Sequence, residues 1–173
     1  ITWDQNITGL SIGGADVNMT AKSIDAVTGL DTNLTITYTS TDTAVVSITN
    51  GTYLKIEGAG SATITASQGG NVDTGGRYNA ATSATKTVTI GKASQSIVTS
   101  TGGNTLPNLT KDNGDFPFPP AVKSVDGSGN DTGLTLTFDS NDSSVIDVNG
   151  INLEPKGVGT ATITVSQPGD TNY

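Results

Sequence analysis

The 173-residue sequence predicts an all-β fold made of two tandem antiparallel β-sandwich domains. Three observations support this prediction. The chain repeats itself about 100 residues apart, its apolar residues alternate with threonine, and Gly- and Asn-rich turns separate the alternating runs. No apolar pattern follows the 3.6-residue period of a helix with capping residues, so we expect essentially no helix beyond a turn.

The internal repeat defines the domain organisation. The segment GAGSATITASQGGN at 58–71 returns as GVGTATITVSQPGD at 157–170, which is an offset of 99. Further upstream, LTITYTSTD at 34–42 corresponds to LTLTFDSND at 134–142 with an offset of 100. Because the matches keep their order along most of both halves, the chain contains a true duplication. The predicted domains are residues 1–92 and 93–173.

Each half contains short strands with one apolar face. Leu34, Ile36 and Tyr38 alternate with threonines, so one face of that strand should enter a core and the other should face water. About seven such strands in about 90 residues are typical of an immunoglobulin-like (Ig-like) sandwich. In the first domain they are predicted near residues 1–8, 17–27, 34–40, 44–49, 53–57, 61–68 and 84–91. The second domain lacks the last of these strands in this chain, since Tyr173 corresponds to Tyr78.

Prolines interrupt the second copy at two places. The run FPFPP at 116–120 cannot donate ladder hydrogen bonds at its prolines, so this counterpart of 17–21 should lie at a sheet edge or be broken. Pro155 stands where the first copy has Ile56 and indicates an edge position there as well.

Composition excludes several classes of function. The chain has no cysteine and no histidine, which removes disulfides, thiolate nucleophiles and the usual zinc ligands. Its net charge of −8 argues against a nucleic-acid partner, because phosphate binding needs clustered Lys and Arg. No stretch approaches the roughly 20 apolar residues of a membrane span, so no membrane insertion is expected in this segment.

We expect no enzymatic activity. The remaining catalytic options are carboxylate pairs or a hydroxyl activated by lysine. Glu57 with Lys55, and Glu154 with Lys156, are explained more simply as cross-strand pairs on the surface. No lysine is predicted on an apolar face, so we expect no intramolecular Lys–Asn isopeptide bond.

Calcium is the better chemical hypothesis, although no cofactor is required. Fourteen of the 16 acidic residues are Asp, which favours turns first and calcium second. The metal candidates are Asp112 with Asp115, and Asp139 with Asp142. A similar group contains Asp126, Asn130 and Asp131, and Asp147 lies near the second pair. None has EF-hand spacing, and Asp42 and Asp142 should instead cap the turns after their strands.

Exposed aromatic residues would be needed for a sugar-binding surface. Tyr53 has no aromatic counterpart in the second copy and is the one ligand-binding candidate. Tyr78 and Tyr173 are equivalent, which favours a structural role in packing or hydrogen bonding at the last turn.

The chain resembles the group 2 bacterial Ig-like repeats and the similar MBG-type modules. The resemblance is carried by LTITYTSTDTAVVSI at 34–48, by LKIEGAGSATITASQGGN at 54–71, and by their counterparts in the second copy. It implies a core aromatic at Trp3, a secreted or cell-surface location, and a structural spacer or stalk role in a large adhesin-like protein. Implied partners are neighbouring repeats of the same polypeptide and possible surface glycans or protein receptors.

Two alternatives stay open. One is a carbohydrate- or receptor-binding module that uses its end loops. The other is a self-assembling surface-layer or filament subunit whose second domain is completed by a strand from another chain. We favour simple continuation of the parent sequence over that foreign strand.

Overall fold

The protein is all-β, as predicted. The computed structural model describes residues 1–72, 75–99, 108–111, 114–117 and 122–173, and these contain several antiparallel sheets and no α-helix. The chain divides into two compact units. They are Ile1–Ala93 together with Asn172, and Ser94–Thr171 together with Tyr173.

The first unit consists of two three-stranded sheets. Its strands are β1 (Val17–Asn18), β2 (Thr37–Ser40), β3 (Val46–Thr49), β4 (Tyr53–Ile56), β5 (Gly60–Gln68) and β6 (Ala81–Ile90). One sheet has the order β1-β4-β3 and the other β2-β5-β6, and all pairs are antiparallel. The predicted strands from residue 34 onward therefore appear within a few residues of their expected bounds.

The first two predicted strands are much shorter than expected. The prediction at 1–8 is wrong apart from one bridge between Thr2 and Lys22, and β1 covers only two residues of 17–27. The side chain of Gln5 makes hydrogen bonds where a ladder between the backbones of these two segments would be expected. Its Nε2 donates to the carbonyl oxygen of Asn18 at 2.7 Å, and its Oε1 accepts from the backbone N–H of Thr20 at 3.0 Å. A side chain thus satisfies backbone groups that a continuous strand would have paired.

The core of the first unit lies between its two sheets. The sheet β1-β4-β3 contributes Leu54 and Val46 to this core, and the sheet β2-β5-β6 contributes Ile64 and Val88. The buried cluster comprises Trp3, Ile7, Met19, Tyr38, Val45, Val46, Leu54, Ala62, Ile64, Ala66, Val88 and Ile90. The period-two alternation of the sequence therefore places the apolar residues of β5 inward, as predicted.

The opposite face of β2-β5-β6 carries hydroxyl groups. Across neighbouring strands, Ser61 Oγ lies 2.7 Å from Thr89 Oγ1, and Thr37 Oγ1 lies 2.9 Å from Ser67 Oγ. These cross-strand contacts connect side chains on the exposed face of the ladder. The face is polar but carries few charges.

The strands of the second unit are β7 (Gln95–Thr99), β8 (Phe116–Pro117), β9 (Val122–Asp126), β10 (Thr137–Ser140), β11 (Ile146–Asn149), β12 (Asn152–Pro155) and β13 (Ile163–Ser166). They include counterparts of β1 to β5, of which only the last is shorter than in the first unit, and an additional pair of five-residue strands, β7 and β9. The sheets are β11-β12-β8, β10-β13 and β7-β9. Among the described residues β13 pairs with β10 alone, so no strand occupies the position that β6 holds in the first unit.

The two proline predictions have different outcomes. Phe116–Pro117 forms the edge strand β8, as expected, while residues 118–120 lie outside the described residues. The edge prediction for Pro155 is wrong, because β12 is the middle strand of its sheet. The next residue, Lys156, donates its N–H to Val145 at 2.9 Å, so the position of the missing Pro155 donor faces away from β11. On that side β8 pairs only with Asn152 and Leu153, and no ladder bond is lost.

The sequence offset between the two copies changes from 100 to 99 at one hairpin, which joins β3 to β4 in the first unit and β11 to β12 in the second. In the first unit Asn50 and Gly51 both have positive φ, 49° and 75°, and Thr52 N–H donates to Thr49 O at 3.2 Å. This is a type I′ turn followed by one extra residue. In the second unit only Gly150 and Ile151 connect the strands, and only Gly150 has positive φ, which is the type II′ arrangement. Deleting one residue exchanges one favoured hairpin turn for the other.

Candidate functional site

The acidic residues named as metal candidates are mostly engaged in turns. Asp142 accepts hydrogen bonds at Oδ1 from the N–H of Ser144 at 3.0 Å and from its hydroxyl at 2.6 Å. Asp42 accepts in the same way from the N–H of Ala44 at 2.9 Å. The hydrogen bonds from the Ser144 side chain and backbone lower the pKa of Asp142. Both residues cap the turn after their strand, as the sequence predicts.

The remaining metal candidates do not assemble a cation site in the described chain. Asp139 is exposed on β10 opposite Thr164. Asp115 borders a small hollow of about 160 Å³ beside Phe116 and Pro155, and Asp112 lies outside the described residues. Within the described ranges no three acidic side chains are grouped closely enough to hold a metal ion.

The third acidic group also organises a turn. Asp126 Oδ1 accepts from the N–H of Ser128 at 2.8 Å and of Asn130 at 2.9 Å. The Asn130 backbone hydrogen bond is the largest cause of the lowered pKa of Asp126. Asp131 accepts from the N–H of Gly133 at 2.9 Å. These oxygens are therefore occupied by the turn itself.

Lysine–carboxylate pairs recur at equivalent positions in both units. Lys22 lies 3.8 Å from Asp31, and Lys123 lies 3.9 Å from Asp131. Lys55 lies 3.0 Å from Glu57, while Lys156 lies 2.5 Å from Glu154.

The expected cross-strand geometry of the two glutamate pairs is wrong, since the partners are two residues apart along the chain. The cross-strand partner of Glu57 is the hydroxyl of Ser47, which donates to Oε1 at 2.6 Å. That hydrogen bond is the largest cause of the lowered pKa of Glu57. The pKa of Glu154 is also lowered, and there the hydrogen bond from Lys156 is the largest cause. Such exposed pairs are structural in kind and contribute little stability.

Tyr53 lies at the start of β4, opposite Asn18 and Thr49, and 39 % of its surface is exposed. It is not stacked on another ring among the described residues. The geometry leaves its ring accessible for contact with a ligand.

The structure reveals a groove that sequence reasoning missed. A depression of about 320 Å³ in the first unit has Met19 and Ile36 in its apolar part and the Lys22–Asp31 pair at its polar part. Tyr38 also lines it, and its hydroxyl accepts a hydrogen bond from the N–H of Ala21 at 2.9 Å. Burial raises the pKa of Tyr38. The sequence identified Tyr38 as a core residue, and no local signal indicated that its neighbours leave a groove.

Trp3 anchors a cluster of side chains in the first unit. Its ring packs edge-on against Tyr38, with centroids 5.6 Å apart and an interplanar angle of 61°. The ammonium of Lys86 lies 5.6 Å from the centre of the Trp3 ring. The prediction that no lysine lies on an apolar face is therefore wrong. Lys86 shares the inner face of β6 with Ala84 and Val88, and its ammonium lies over the Trp3 ring.

Tyr78 closes the long loop after β5. Asn71 and Tyr78 hydrogen-bond to each other through Asn71 N–H to Tyr78 O at 2.8 Å and Tyr78 N–H to Asn71 Oδ1 at 3.0 Å. In the second unit Asp170 and Tyr173 pair in the same pattern, at 3.1 Å and 2.9 Å, around a loop shorter by four residues. The equivalent tyrosines thus have the predicted structural role.

No protein-family model matches the chain, and no curated protein matches it either. In the part of the chain that the structure describes, none of the elements is a helix long and apolar enough to cross a membrane.

Proposed function

We propose that the two units are structural spacer repeats of a large extracellular or cell-surface, adhesin-like protein, without catalytic activity. Their partners are neighbouring repeats of the same polypeptide, and the bacterial Ig-like resemblance of the sequence supports a surface location. This role requires no cofactor and no nucleic-acid partner.

The observation that carries the proposal is the equivalence of the polar contacts in the two units. Asp42 and Asp142 cap the same turn, and Asp31 and Asp131 face equivalent lysines. The hydroxyl pair Thr37–Ser67 recurs as Thr137–Ser166, the latter at 2.7 Å. A module selected for one ligand needs its polar groups directed at that ligand, whereas these groups hold turns and ladders in both copies.

Single-molecule stretching tests the spacer role. The first unit, placed between two marker domains of known unfolding force, should resist extension and then lengthen by about 30 nm in one step, given ~3.6 Å per extended residue. The same chain with Leu54→Ala is the matched control and should unfold at lower force. Extension without a distinct unfolding step would contradict a load-bearing role.

A second candidate function is recognition of a carbohydrate or protein receptor, which the groove of the first unit favours. Its mixed apolar and charged lining is typical of ligand sites, and Tyr53 offers an accessible ring on the same unit. A glycan array probed with the full chain tests this function. Binding should be lost in Lys22→Met/Asp31→Asn and retained in the matched variant Lys123→Met/Asp131→Asn. An array without any bound glycan would remove carbohydrate recognition.

A further inference from the structure

One edge of the second unit has unpaired backbone groups on consecutive inward-facing residues. The carbonyl oxygen of Thr162 accepts a hydrogen bond from the N–H of Asn141 at 3.1 Å, so the backbone polar groups of Thr162 face β10. Backbone groups alternate in direction along an antiparallel strand. The N–H and C=O groups of Ile163 and Val165 therefore point away from β10, towards a side where no described strand pairs.

The first unit shows what occupies the same edge. There β5 pairs with β6 over nearly its whole length, with Ile64 opposite Lys86 and Ala66 opposite Ala84. The sequences of the two edges correspond closely, GSATITASQ at 60–68 and GTATITVSQ at 159–167. The second edge has the same inner and outer alternation as the one that β6 covers.

The inward-facing residues of β13 are more exposed than their counterparts in β5, as expected for a strand that has a partner on one side only. Ile64 and Ala66 of β5 are fully buried, whereas their counterparts Ile163 and Val165 are only half-buried. An added strand beside β13 would supply side chains over this part of the core and remove apolar surface from water.

The free edge also lacks the usual protection against pairing. Natural edge strands carry lysine, proline or inward charges, or are covered. Residues 159–167 contain no charged residue and no proline. An edge of this composition is suited to be covered by another strand.

We propose that β13 accepts an added antiparallel strand whose residues follow the pattern of β6. This strand has threonine outside and alanine, lysine, valine and isoleucine inside, in the order that β6 has them. Transferring the β5–β6 register places its counterpart of Ala84 opposite Val165, that of Lys86 opposite Ile163, and that of Val88 opposite Ala161. The main chain provides the affinity and the alternate side chains provide the specificity. This inference is independent of the spacer role.

The first test tethers the strand to the acceptor. Residues 79–90 of this chain, NAATSATKTVTI, are fused directly after Tyr173, because the chain enters β6 from Tyr78 in the first unit. Hydrogen exchange of the Ile163 and Val165 amides should slow by at least about tenfold relative to the unfused chain. The matched control fuses the same segment with the counterparts of Ala84, Val88 and Ile90 changed to Asp and should leave exchange unchanged. Equal exchange in the fused and unfused chains would overturn the proposal.

The second test adds the strand as a free, labelled peptide of the same sequence to the unfused chain. Slower exchange of the same two amides on peptide addition supports acceptance from a separate polypeptide. Val165→Pro removes an edge donor at a tolerated position. In this variant the exchange of the Ile163 amide should no longer slow on peptide addition, while circular dichroism remains unchanged. If the same amides become protected with rising chain concentration and no peptide, a second copy occupies the edge and the proposed occupant is wrong.

Discussion

The Tyr78 hydroxyl donates a hydrogen bond to Oδ2 of Asp25 at 3.1 Å, which joins the loop after β5 to the turn that contains Asp25. The N–H groups of Val27 and Thr28 donate to the other oxygen of the same carboxylate, at 2.8 Å and 3.1 Å. The backbone hydrogen bond from Val27 is the largest cause of the lowered pKa of Asp25, and Tyr78 adds to it. The same contact raises the pKa of Tyr78.

Tyr78→Phe should raise the pKa of Asp25 and lower the thermal midpoint of the first unit, because it removes a hydrogen bond between two otherwise separate segments. Carboxyl NMR shifts against pH measure the first effect. Tyr53→Phe is the matched control, since its hydroxyl makes no hydrogen bond among the described residues, and it should change neither quantity. An unaltered Asp25 titration in Tyr78→Phe would show that the contact is absent in solution.

Leu54 and Leu153 are equivalent residues in β4 and β12, and both are 0 % exposed. Truncating a buried leucine to alanine costs about 2–5 kcal/mol, because apolar contacts are lost and a cavity remains. Leu54→Ala should therefore lower the midpoint of the Trp3 fluorescence transition during urea unfolding. Leu153→Ala, in the other unit, should shift the same transition less; equal shifts would contradict separate cores.

Gly51 and Gly150 both have positive φ, 75° and 63°, in hairpins of different length. An alanine there occupies the left-handed region at a cost of roughly 1–2 kcal/mol. Gly51→Ala and Gly150→Ala should each lower the urea midpoint of their unit, whereas Asn50→Gly should have almost no effect. A stable Gly150→Ala variant would show that this hairpin adopts another turn in solution.

Lys86→Met should lower the stability of the first unit by about 0.5–1 kcal/mol and change the emission of Trp3, because the ammonium no longer lies over the indole ring. Met keeps most of the apolar stem, so the loss reports the charge. Lys86→Arg should preserve the stability. A methionine variant as stable as the parent would mean that the stem alone matters.

Stability should be independent of pH near neutrality and should fall in acid. Hydrogen bonds from neighbouring N–H and O–H groups are the largest cause of lowered pKa values at Asp25, Glu57, Asp126 and Asp142, and the Lys156 hydrogen bond has that role at Glu154. A lowered folded-state pKa gives stability that is fully present above the unfolded-state pKa and is lost as pH falls through the folded-state value. The reference values are 3.8 for Asp and 4.5 for Glu, so thermal midpoints should fall below about pH 5.

The absence of histidine removes the side chain whose ordinary pKa lies between pH 5 and 8. Thermal midpoints should therefore coincide from about pH 6 to 8. Asp126→Asn combined with Asp142→Asn should flatten the acid limb. A midpoint that changes steeply between pH 6 and 7 would contradict this account.

The sequence was sufficient wherever alternation and turns agreed with each other. Ala62, Ile64 and Ala66 are buried because their period-two spacing places them on one face of β5. Asp42 and Asp142 follow their strands at the position where a carboxylate satisfies turn N–H groups, so their capping role could be predicted from local sequence.

Other features depend on contacts that no local pattern contains. The side chain of Gln5 hydrogen-bonds to the backbone of Asn18, 13 residues further along the chain, in place of a backbone ladder. The first segment therefore has the sequence pattern of a strand but does not form one. Lys86 lies inside because Trp3, 83 residues earlier, offers its ring face. Pro155 is tolerated in a middle strand because its neighbour β8 is only two residues long.

The hydroxyl-bearing face of β2-β5-β6 has a consequence for how the surface responds to its medium. Ionic strength screens charged surfaces, because their interactions decay over a Debye length. Ser61 pairs with Thr89, and Thr37 with Ser67, through neutral hydroxyl groups, whose hydrogen bonds dissolved ions do not screen. The hydration of this face should therefore be nearly the same in fresh water and in brine, although the chain as a whole carries a net charge of −8.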